Sequence, residues 1–253
     1  MRTMIPLDPA MMDRLVKRVP SDFGTLLYHF KADSFASSTA DNTPVGAAGT
    51  EWIDQTGNGF TCTQAVAANR PLYRINQFNR LPAIQFDGVN DFLQMGATQT
   101  IGLGQAFTFC IVYQSASAAN DYFLLGNGGN TQFRPNVAAG DVWGIFQDGV
   151  AGPTSVGIPR AQTDLRVLWM NCQTIAGQRN ANFYQGKLFM NNSTTSQNSF
   201  TVNRISGNGA NPGAFLMGGL LAEVCMWSTF VTGNEIFDLA QHYFRPKWGW
   251  LNT

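Results

Sequence analysis

This chain is poor in charged residues. Only 13% of its 253 residues are charged, which is about half the usual share for a globular domain. Lysine and arginine together number 16, as do aspartate and glutamate, so the formal net charge is +0. A nucleic-acid partner requires a basic surface that neutralises phosphates. The composition therefore argues against nucleic-acid binding.

Long apolar runs are also absent. No segment approaches the ~20 consecutive apolar residues that a transmembrane helix requires, so we expect no membrane insertion. Arg2 is the only basic residue at the very start, and Asp8 and Pro9 interrupt any apolar segment that follows it. These features do not form a signal peptide. We therefore expect the protein to be made and folded in a cytoplasm.

Cysteine and histidine are scarce, and their spacing does not indicate a metal site. The four cysteines are Cys62, Cys110, Cys172 and Cys225. Three of them lie in apolar strand patterns, so we expect small buried hydrophobic side chains; disulfides and reactive thiols are the alternatives. His29 and His242 are the only histidines, and no G-x-S-x-G motif accompanies them. The sequence thus predicts neither a cysteine-ligated metal centre nor a catalytic triad.

Short segments with an alternating apolar pattern recur along the chain, and clusters of Gly, Asn and Pro separate them. In one of them, four apolar side chains fall on one face of a strand. They are Phe107, Phe109, Ile111 and Tyr113. Repeated strands without intervening helices are typical of two packed antiparallel sheets. We therefore predict an all-β sandwich domain that spans residues 23–253.

One helix is predicted near the carboxyl end. Thr232 and Glu235 form a capping box, in which each side chain satisfies the backbone N–H of the other residue. The apolar residues that follow repeat at three- and four-residue steps. They are Ile236, Leu239, Ala240 and Tyr243. We expect the helix to end at Pro246, because proline interrupts helical hydrogen bonding.

Residues 1–22 predict a short N-terminal helix. Asp8 can cap it, and Pro9 suits its first turn. Its apolar residues are Met11, Met12, Leu15, Val16 and Val19. A helix this short is unstable alone in water, so it must dock on another surface. The alternatives are that it packs on its own domain, that it packs on a partner subunit, which would make residues 1–22 an assembly segment, or that it is disordered.

The segment from Pro82 to Leu93, PAIQFDGVNDFL, predicts a strand, a polar turn and a second strand. It resembles the F-D-G-x-N-D-x-L signature of the laminin-G-like branch of the concanavalin A-like lectin and glucanase superfamily. Other segments resemble further motifs of these domains in the same order. They are the opening strand 26–33, the W-x-D-x-S-G-N-G turn at 52–59 and the closing segments 221–227 and 247–249. The resemblance implies a jelly-roll sandwich of two antiparallel sheets.

This scaffold carries sugar-binding proteins, hydrolases and structural modules, so the resemblance alone does not decide the function. Retaining glucanases of this superfamily use two carboxylates at alternating strand positions, roughly 5 Å apart. The chain has only three glutamates, Glu51, Glu223 and Glu235. Glu235 serves the helix cap, and neither of the others has a second acid two or four residues away. We therefore expect no enzymatic activity, and a structural hydrogen bond for Glu223.

Calcium is the one cofactor for which the sequence offers ligands, because many relatives in this superfamily hold calcium in their loops. The candidate ligands are Asp54, Asn58, Asp87, Asn90 and Asp91. Calcium requires hard oxygen donors of this kind. The alternative is that these side chains bond to the backbone of their own turns.

A saccharide site requires an apolar surface for the ring of the sugar and polar groups for its hydroxyls. Trp143 is the candidate aromatic residue. The candidate polar groups near it in sequence are Asp141, Gln147, Asn127, Asn130 and Arg134. Trp52 and Trp248 occupy framework positions of the superfamily, so we expect them to pack in the core.

From these features we predict a non-enzymatic structural protein of a bacteriophage virion, either a capsid decoration protein or a tail-associated one. Its N-terminal segment would attach to virion proteins or to further copies of the chain. Its sandwich would face outward and contact host-surface glycans. A stand-alone carbohydrate-binding module is the alternative hypothesis, and a glycoside hydrolase is the least favoured.

Overall fold

The computed structural model describes residues 18–116, 125–126, 132–137, 142–146, 154–157, 164–196, 199–207 and 216–249. Within these ranges most of the backbone is extended, and the strands pair antiparallel in two sheets that pack face to face. A single helical segment follows the last strand. The predicted all-β sandwich with a C-terminal helix is therefore confirmed. No helix in the described ranges combines the length and apolar character that a membrane span demands.

The strands of the described residues belong to a larger and a smaller sheet. In chain order they are β1 (Leu26–Lys31), β2 (Thr43–Pro44), β3 (Trp52–Ile53), β4 (Thr61–Thr63), β5 (Leu72–Phe78), β6 (Leu81–Asp87), β7 (Leu93–Ile101), β8 (Phe107–Ser115), β9 (Leu125–Gly126), β10 (Gln132–Val137), β11 (Val142–Phe146), β12 (Thr154–Gly157), β13 (Leu165–Ile175), β14 (Gln178–Gln185), β15 (Leu188–Ser196), β16 (Phe200–Ile205) and β17 (Gly218–Trp227). The larger sheet has the order β15-β14-β13-β8-β17-β6-β5-β2, with β1 also paired to β17. The smaller sheet has the order β12-β11-β10-β9-β16-β7-β4-β3.

Two apolar layers stabilise the sandwich, and β8 contributes to both. Its four residues predicted to share a face, from Phe107 to Tyr113, all lie in the core between the sheets. The alternate residues Cys110 and Val112 point to the opposite side, into a second layer beneath the C-terminal helix. Strands covered on both faces are apolar throughout, which explains the continuous run in β8. Each fully buried side chain of this size contributes about 1.5–3 kcal/mol of transfer free energy.

All four cysteines are buried and unpaired by disulfides, as the apolar strand patterns predict. Trp52 and Trp248 are also buried, in agreement with their predicted framework role. The two tryptophans belong to different layers. Trp52 lies in the core between the sheets, and Trp248 lies in the layer beneath the helix.

The C-terminal helix consists of α1 (Gly233–Leu239), a π-helical segment (Ala240–Phe244) and α2 (Arg245–Trp248). The predicted capping box is confirmed. The backbone N–H of Glu235 donates to Oγ1 of Thr232 at 3.4 Å, and the backbone N–H of Thr232 donates to Oε2 of Glu235 at 2.7 Å.

The predicted helix end at Pro246 is wrong, because the helix continues to Trp248. Pro246 occupies the first turn of α2, directly after the π-helical segment. A widened π-helical turn changes the hydrogen-bond partners at the point where proline offers no N–H. The helix ends instead at Gly249, whose φ of 69° is the left-handed conformation that glycine adopts readily.

A β-bulge in β17 determines which side chains face the helix. Leu221 pairs with Tyr113, and Glu223 pairs with Val112, so Ala222 is an extra residue in β17. Leu221 therefore points into the core between the sheets, whereas Ala222 and Glu223 both face the helix side. The bulge thus brings a carboxylate beneath the C-terminal helix.

The described part of the N-terminal segment packs on the sandwich itself. Residues Pro20–Asp22 form a short 3₁₀ helix, and Val19 and Phe23 contact the apolar layer beneath the C-terminal helix. The indole Nε1 of Trp227 donates to the carbonyl of Pro20 at 2.9 Å. The other predicted assembly residues lie outside the described residues. They are Met11, Met12, Leu15 and Val16, and the domain boundary after residue 22 stays a prediction.

Candidate functional site beside the C-terminal helix

The carboxylate of Glu223 is the centre of a buried polar cluster, which we call the Glu223 cluster. Its Oε1 accepts hydrogen bonds from Nε2 of His29 and from the hydroxyl of Tyr243, the latter at 2.9 Å. Its Oε2 accepts from Nζ of Lys247 at 2.9 Å and from Nε1 of Trp248 at 2.7 Å. Four nitrogen and oxygen donors thus satisfy one carboxylate that has no exposed surface, and the thiol of Cys225 makes a longer contact with Oε1 at 3.9 Å.

The Glu223 carboxylate is ionised despite its burial. Burial by itself raises the pKa of this group, but the hydrogen bond from His29 and the positive charge of Lys247 outweigh that effect and lower the pKa to about 2. Glu223 can therefore only accept hydrogen bonds at neutral pH. The predicted structural hydrogen bond of Glu223 is confirmed, and it is one of four.

Two elements far apart in sequence deliver these side chains. Along β1, Tyr28 and Phe30 point into the core between the sheets, so His29 and Lys31 alternate to the helix side. Because β1 pairs with β17, Lys31 stands opposite Glu223 in the ladder. Lys247 follows Tyr243 by four residues, a spacing that puts the two on one side of a helix. Trp248 is the next residue, and its indole reaches the same carboxylate.

A cleft opens beside the Glu223 cluster, on the outer face of the larger sheet. Its volume is about 410 Å³. Its lining residues are Val19, Pro20, Ser21, His29, Lys31, Asp33, Gln55, Tyr243 and Lys247. Most of these side chains are polar, so the cleft suits a ligand that is rich in hydrogen-bonding groups.

The charges around the cleft balance one another. Lys31 and Lys247 are matched by Asp33 in the lining and by Glu223 behind it. Nζ of Lys247 lies 3.0 Å from Oδ1 of Asp33 and 3.2 Å from the hydroxyl oxygen of Tyr243. The ammonium group is therefore already surrounded by acceptors from the protein. This balance favours an uncharged polar ligand over an anionic or a cationic one.

The predicted calcium ligands Asp54 and Asn58 serve their own turn and its contact with β1. Oδ1 of Asp54 accepts from the backbone N–H of His29 at 2.6 Å and from that of Thr56 at 3.1 Å. Nδ2 of Asn58 donates to the carbonyls of Leu26 and Leu27, at 3.1 and 2.9 Å. These contacts agree with the alternative in which the side chains stabilise the backbone.

The other predicted calcium ligands belong to the turn between β6 and β7. Oδ1 of Asp87 accepts from the backbone N–H groups of Val89, Asn90 and Asp91. This turn lies beside Gly218 in β17, whereas the Asp54 turn bonds to His29, which stands opposite Cys225. Gly218 and Cys225 are seven positions apart along an extended strand, a distance of about 23 Å.

The five predicted ligands therefore cannot hold one ion together. Among the described residues, no three aspartates or glutamates converge as a metal site would require. Calcium binding stays a prediction, and at least one carboxylate oxygen of each of Asp54, Asp87 and Asp91 accepts a hydrogen bond within the protein.

The side chains of His29, Glu223 and Cys225 lie close enough together to resemble a metal site. They do not fit one. Burial and the negative charge of Glu223 raise the pKa of the Cys225 thiol, which keeps it protonated, whereas a metal ligand must be a thiolate. The ammonium group of Lys247 also contacts the same carboxylate and would repel a cation.

The predicted glycan-binding residues lie elsewhere in the chain. Trp143 belongs to β11 and Arg134 to the neighbouring β10, where Arg134 stands opposite Gly144. Both strands are part of the smaller sheet, so they are not part of the cleft on the larger one. The remaining members of that set lie outside the described residues. They are Asn127, Asn130, Asp141 and Gln147, and the set as a whole stays a prediction.

Sequence reasoning did not find the cleft. The spacing of Tyr243 and Lys247 on a capped helix is a visible signal for a shared face. The pairing that brings His29 to Glu223 joins residues 194 positions apart. No local pattern reveals such a pairing.

No family model matches the chain, and no curated protein matches it. Solved structures do share the fold. Domain 4 of AbnA, a GH43 extracellular arabinanase from Geobacillus stearothermophilus in complex with arabinotriose, is similar with a TM-score of 0.57 at 13% identity, and the similarity covers 86% of this chain and 98% of that one.

Two weaker similarities are with the CBM40 of a Ruminococcus gnavus sialidase and with a GH54 α-L-arabinofuranosidase. The first, bound to α2,3-sialyllactose, has a TM-score of 0.40 at 15% identity and covers 55% of this chain and 84% of that one. The second has a TM-score of 0.48 at 13% identity and covers 89% of this chain and 60% of that one. At these identities the comparisons show the fold alone. They do not bear on the laminin-G-like branch or on a phage origin, which stay predictions.

Proposed function

We propose that the protein is a non-catalytic carbohydrate-binding domain that holds an uncharged saccharide in the cleft beside the C-terminal helix. The observation that carries this proposal is the lining of the cleft, which is polar, balanced in charge and about 410 Å³ in volume. Ligand pockets for small molecules have volumes of roughly 300–1,000 Å³. Hydroxyl groups of a sugar can both donate to and accept from such a lining.

The fold supports the same proposal. Domain 4 of the arabinanase holds arabinotriose in its solved structure, and the similarity spans 98% of that domain. Because one fold hosts many functions, this similarity is only an analogy, and the proposed function rests on the lining of the cleft. The analogy does supply a first ligand to test, a short neutral arabino-oligosaccharide.

The absence of catalysis in this proposal rests on how the glutamates are used. Glu223 has no exposed surface and accepts four hydrogen bonds. Glu235 is bonded within the helix cap. A retaining glycosidase requires two carboxyl groups that reach the sugar from both sides of the scissile bond. Glu51 is the one glutamate without either role, and a single carboxylate does not make such a pair.

The sequence also predicts attachment to a virion particle, and the proposed function does not require it. Val19 and Pro20 pack on the domain itself. An assembly role for the preceding residues, with capsid or tail proteins or further copies of the chain as partners, stays a prediction.

Gln55 provides the experiment. Its exposed side chain lines the cleft, and its amide donates to the carbonyl of Ile53 at 2.9 Å. Gln77 is a matched control, because its amide also donates to the carbonyl two residues earlier, Ile75, and it does not line the cleft. We expect Gln55→Ala to weaken binding of arabinotriose roughly 3- to 10-fold, as for one lost hydrogen bond. Isothermal titration calorimetry measures the affinity, and Gln77→Ala should leave it unchanged.

The proposal is wrong if neither arabinotriose nor any member of a glycan array binds to the wild-type protein. It is also wrong in its site if a saccharide binds and Gln55→Ala has the affinity of Gln77→Ala. An assay for released reducing ends, with arabinotriose incubated at high protein concentration, tests the non-catalytic part. Release of reducing ends that stops in Glu51→Gln would favour a hydrolase.

A further inference from the structure

The two ring nitrogens of His29 have different surroundings. Its side chain is only 10% exposed, and Nε2 is bonded to Oε1 of Glu223. Nδ1 makes no hydrogen bond to any residue that the structure describes. It is not sealed from solvent either. Because His29 lines the cleft, Nδ1 is the nitrogen that it presents to a ligand.

The Glu223 cluster decides which hydrogen-bonding role Nδ1 plays. Ionised Glu223 can only accept, so Nε2 of His29 must carry the hydrogen that it donates. In the neutral imidazole the other nitrogen then has no hydrogen and is an acceptor. Tyr243 and Trp248 hold the carboxylate in place, and the carboxylate in turn fixes the orientation and the tautomer of the ring.

Two other polar groups of the lining, Gln55 and Lys247, also have their hydrogen-bond donors engaged within the protein. The amide nitrogen of Gln55 donates to Ile53, which leaves its carbonyl oxygen as an acceptor for a ligand. Nζ of Lys247 is already surrounded by oxygens of Glu223, Tyr243 and Asp33. His29 and Gln55 therefore both offer a hydrogen-bond acceptor to a ligand, whereas Lys31 is a donor on the same side of β1.

We infer that the cleft selects its ligand through one hydroxyl group that donates a hydrogen bond to Nδ1 of His29. This inference rests on the proposed function and names the chemistry that its ligand must have. The ligand class is a neutral saccharide or polyol with a free hydroxyl at this subsite. A derivative in which that hydroxyl is absent or methylated would leave a largely enclosed acceptor unpaired, and sites built around a hydroxyl reject such analogues strongly.

Nuclear magnetic resonance tests the fixed tautomer without any ligand. The chain has only two histidines, so His242→Gln leaves His29 as the single imidazole. His242 is a suitable residue to remove, because its side chain is 51% exposed and lies outside the cleft. In a long-range ¹H–¹⁵N spectrum of the neutral form, we expect hydrogen on Nε2 and none on Nδ1. A spectrum with hydrogen on Nδ1, or with a mixture of both tautomers, overturns the inference.

Binding measurements test the selection itself. We expect monodeoxy and mono-O-methyl derivatives of arabinotriose, taken position by position, to include one position at which the affinity for the wild-type protein falls roughly 10- to 100-fold. In His29→Phe the same derivative and arabinotriose should bind equally weakly, because the acceptor is gone. His29→Gln retains an amide donor for Glu223 and tests whether the fold survives loss of the imidazole; with the fold intact, it should no longer discriminate between that derivative and arabinotriose as the wild-type protein does.

The outcomes distinguish this inference from the proposed function. If arabinotriose and the neutral oligosaccharides of a glycan array all fail to bind, the proposed function is wrong and the inference is wrong with it. If a saccharide binds, Gln55→Ala weakens it and every derivative binds as tightly as the parent, the proposed function stands and the inference alone is overturned. If His29→Phe still binds arabinotriose more tightly than the derivative by the same factor as the wild-type protein, the inference alone is likewise overturned.

Discussion

Asp87 and Asp91 hold one turn together by reciprocal hydrogen bonds. Oδ1 of Asp87 accepts from the backbone N–H of Asp91 at 3.1 Å, and Oδ2 of Asp91 accepts from the backbone N–H of Asp87 at 2.8 Å. The two carboxyl groups nevertheless ionise differently. Burial raises the pKa of Asp91 to about 6; the hydrogen bond from the backbone N–H of Asp87 opposes this shift, and the negative charge of Asp87 adds to it. The pKa of Asp87 is lowered, because several backbone N–H groups outweigh its burial.

The raised pKa of Asp91 predicts a contribution to stability that grows as pH falls from about 6 to about 4, opposite in sign to the contributions of Glu223 and Asp87, whose pKa values are lowered. In this window the folded state takes up a proton that the unfolded state, with a pKa of about 3.9, does not. The increase in the free energy of unfolding is at most about 3 kcal/mol. Urea unfolding at several pH values should show this slope in the wild-type protein and lose it in Asp91→Asn. Asp238→Asn, at a half-exposed position on the helix, should keep the slope.

The features that could be predicted from the sequence depend on residues that are close together in the chain. The alternation from Phe107 to Tyr113 requires only that β8 is a strand with a buried face. The capping box of Thr232 and Glu235 requires only three residues of helix. Both are set by local geometry, so a pattern of residue types is enough to find them.

The Glu223 cluster could not be predicted, because it depends on three structural features that the sequence pattern does not show. The bulge at Ala222 puts Glu223 on the helix side, and the pairing of β1 with β17 brings His29 to it. The helix then has to pass Pro246 before Lys247 and Trp248 can reach the same carboxylate. An alternating pattern carries no information on an extra residue or on the partner of a strand. The local sequence around Glu223 or His29 therefore does not indicate that the two side chains meet.

Because the Glu223 carboxylate is buried and fully hydrogen-bonded, we expect Glu223→Gln to lower the free energy of unfolding strongly. The amide that replaces it brings a donor to a place where four donors already converge, and it removes the buried one of the two carboxylates that contact the ammonium of Lys247, leaving Asp33. Breaking a buried ion pair in this way costs about 3–5 kcal/mol. Glu235→Gln is the matched control, because a capping box accepts glutamine as well as glutamate. Equal midpoints of chemical unfolding for the two variants would contradict the central role assigned to Glu223.

We also expect Gly219→Ala to destabilise the protein, because the backbone at this position has no room for a side chain. An added Cβ would lie 2.1 Å from the carbonyl oxygen of Gln114 and 3.0 Å from the backbone nitrogen of Ala116, and φ is +140°. Gly219→Ala therefore forces β17 away from β8, the most central pair of the larger sheet, and should cost more than about 3 kcal/mol.

Gly57→Ala is the control for that substitution. Gly57 also has a positive φ, of +85°, but a Cβ there meets nothing within 4 Å. It should cost only the backbone strain, about 1–2 kcal/mol. Thermal unfolding followed by circular dichroism separates the two variants. A Gly219→Ala protein as stable as Gly57→Ala would show that the two strands are not in close contact at this position.

The buried cysteines predict that the native protein resists thiol reagents. Cys110 of β8 stands directly opposite Cys225 of β17, and burial raises the pKa of both thiols and of Cys62. The thiolate is the reactive form, and it is disfavoured where solvent is excluded. A chromogenic disulfide reagent should therefore label none of the four cysteines under native conditions and all four in denaturant. Rapid labelling of Cys110 or Cys225 in the folded protein would mean that the layer beneath the C-terminal helix opens readily. In that case Glu223→Gln should increase the labelling rate, because the hydrogen bonds that attach the helix to β17 depend on its carboxylate.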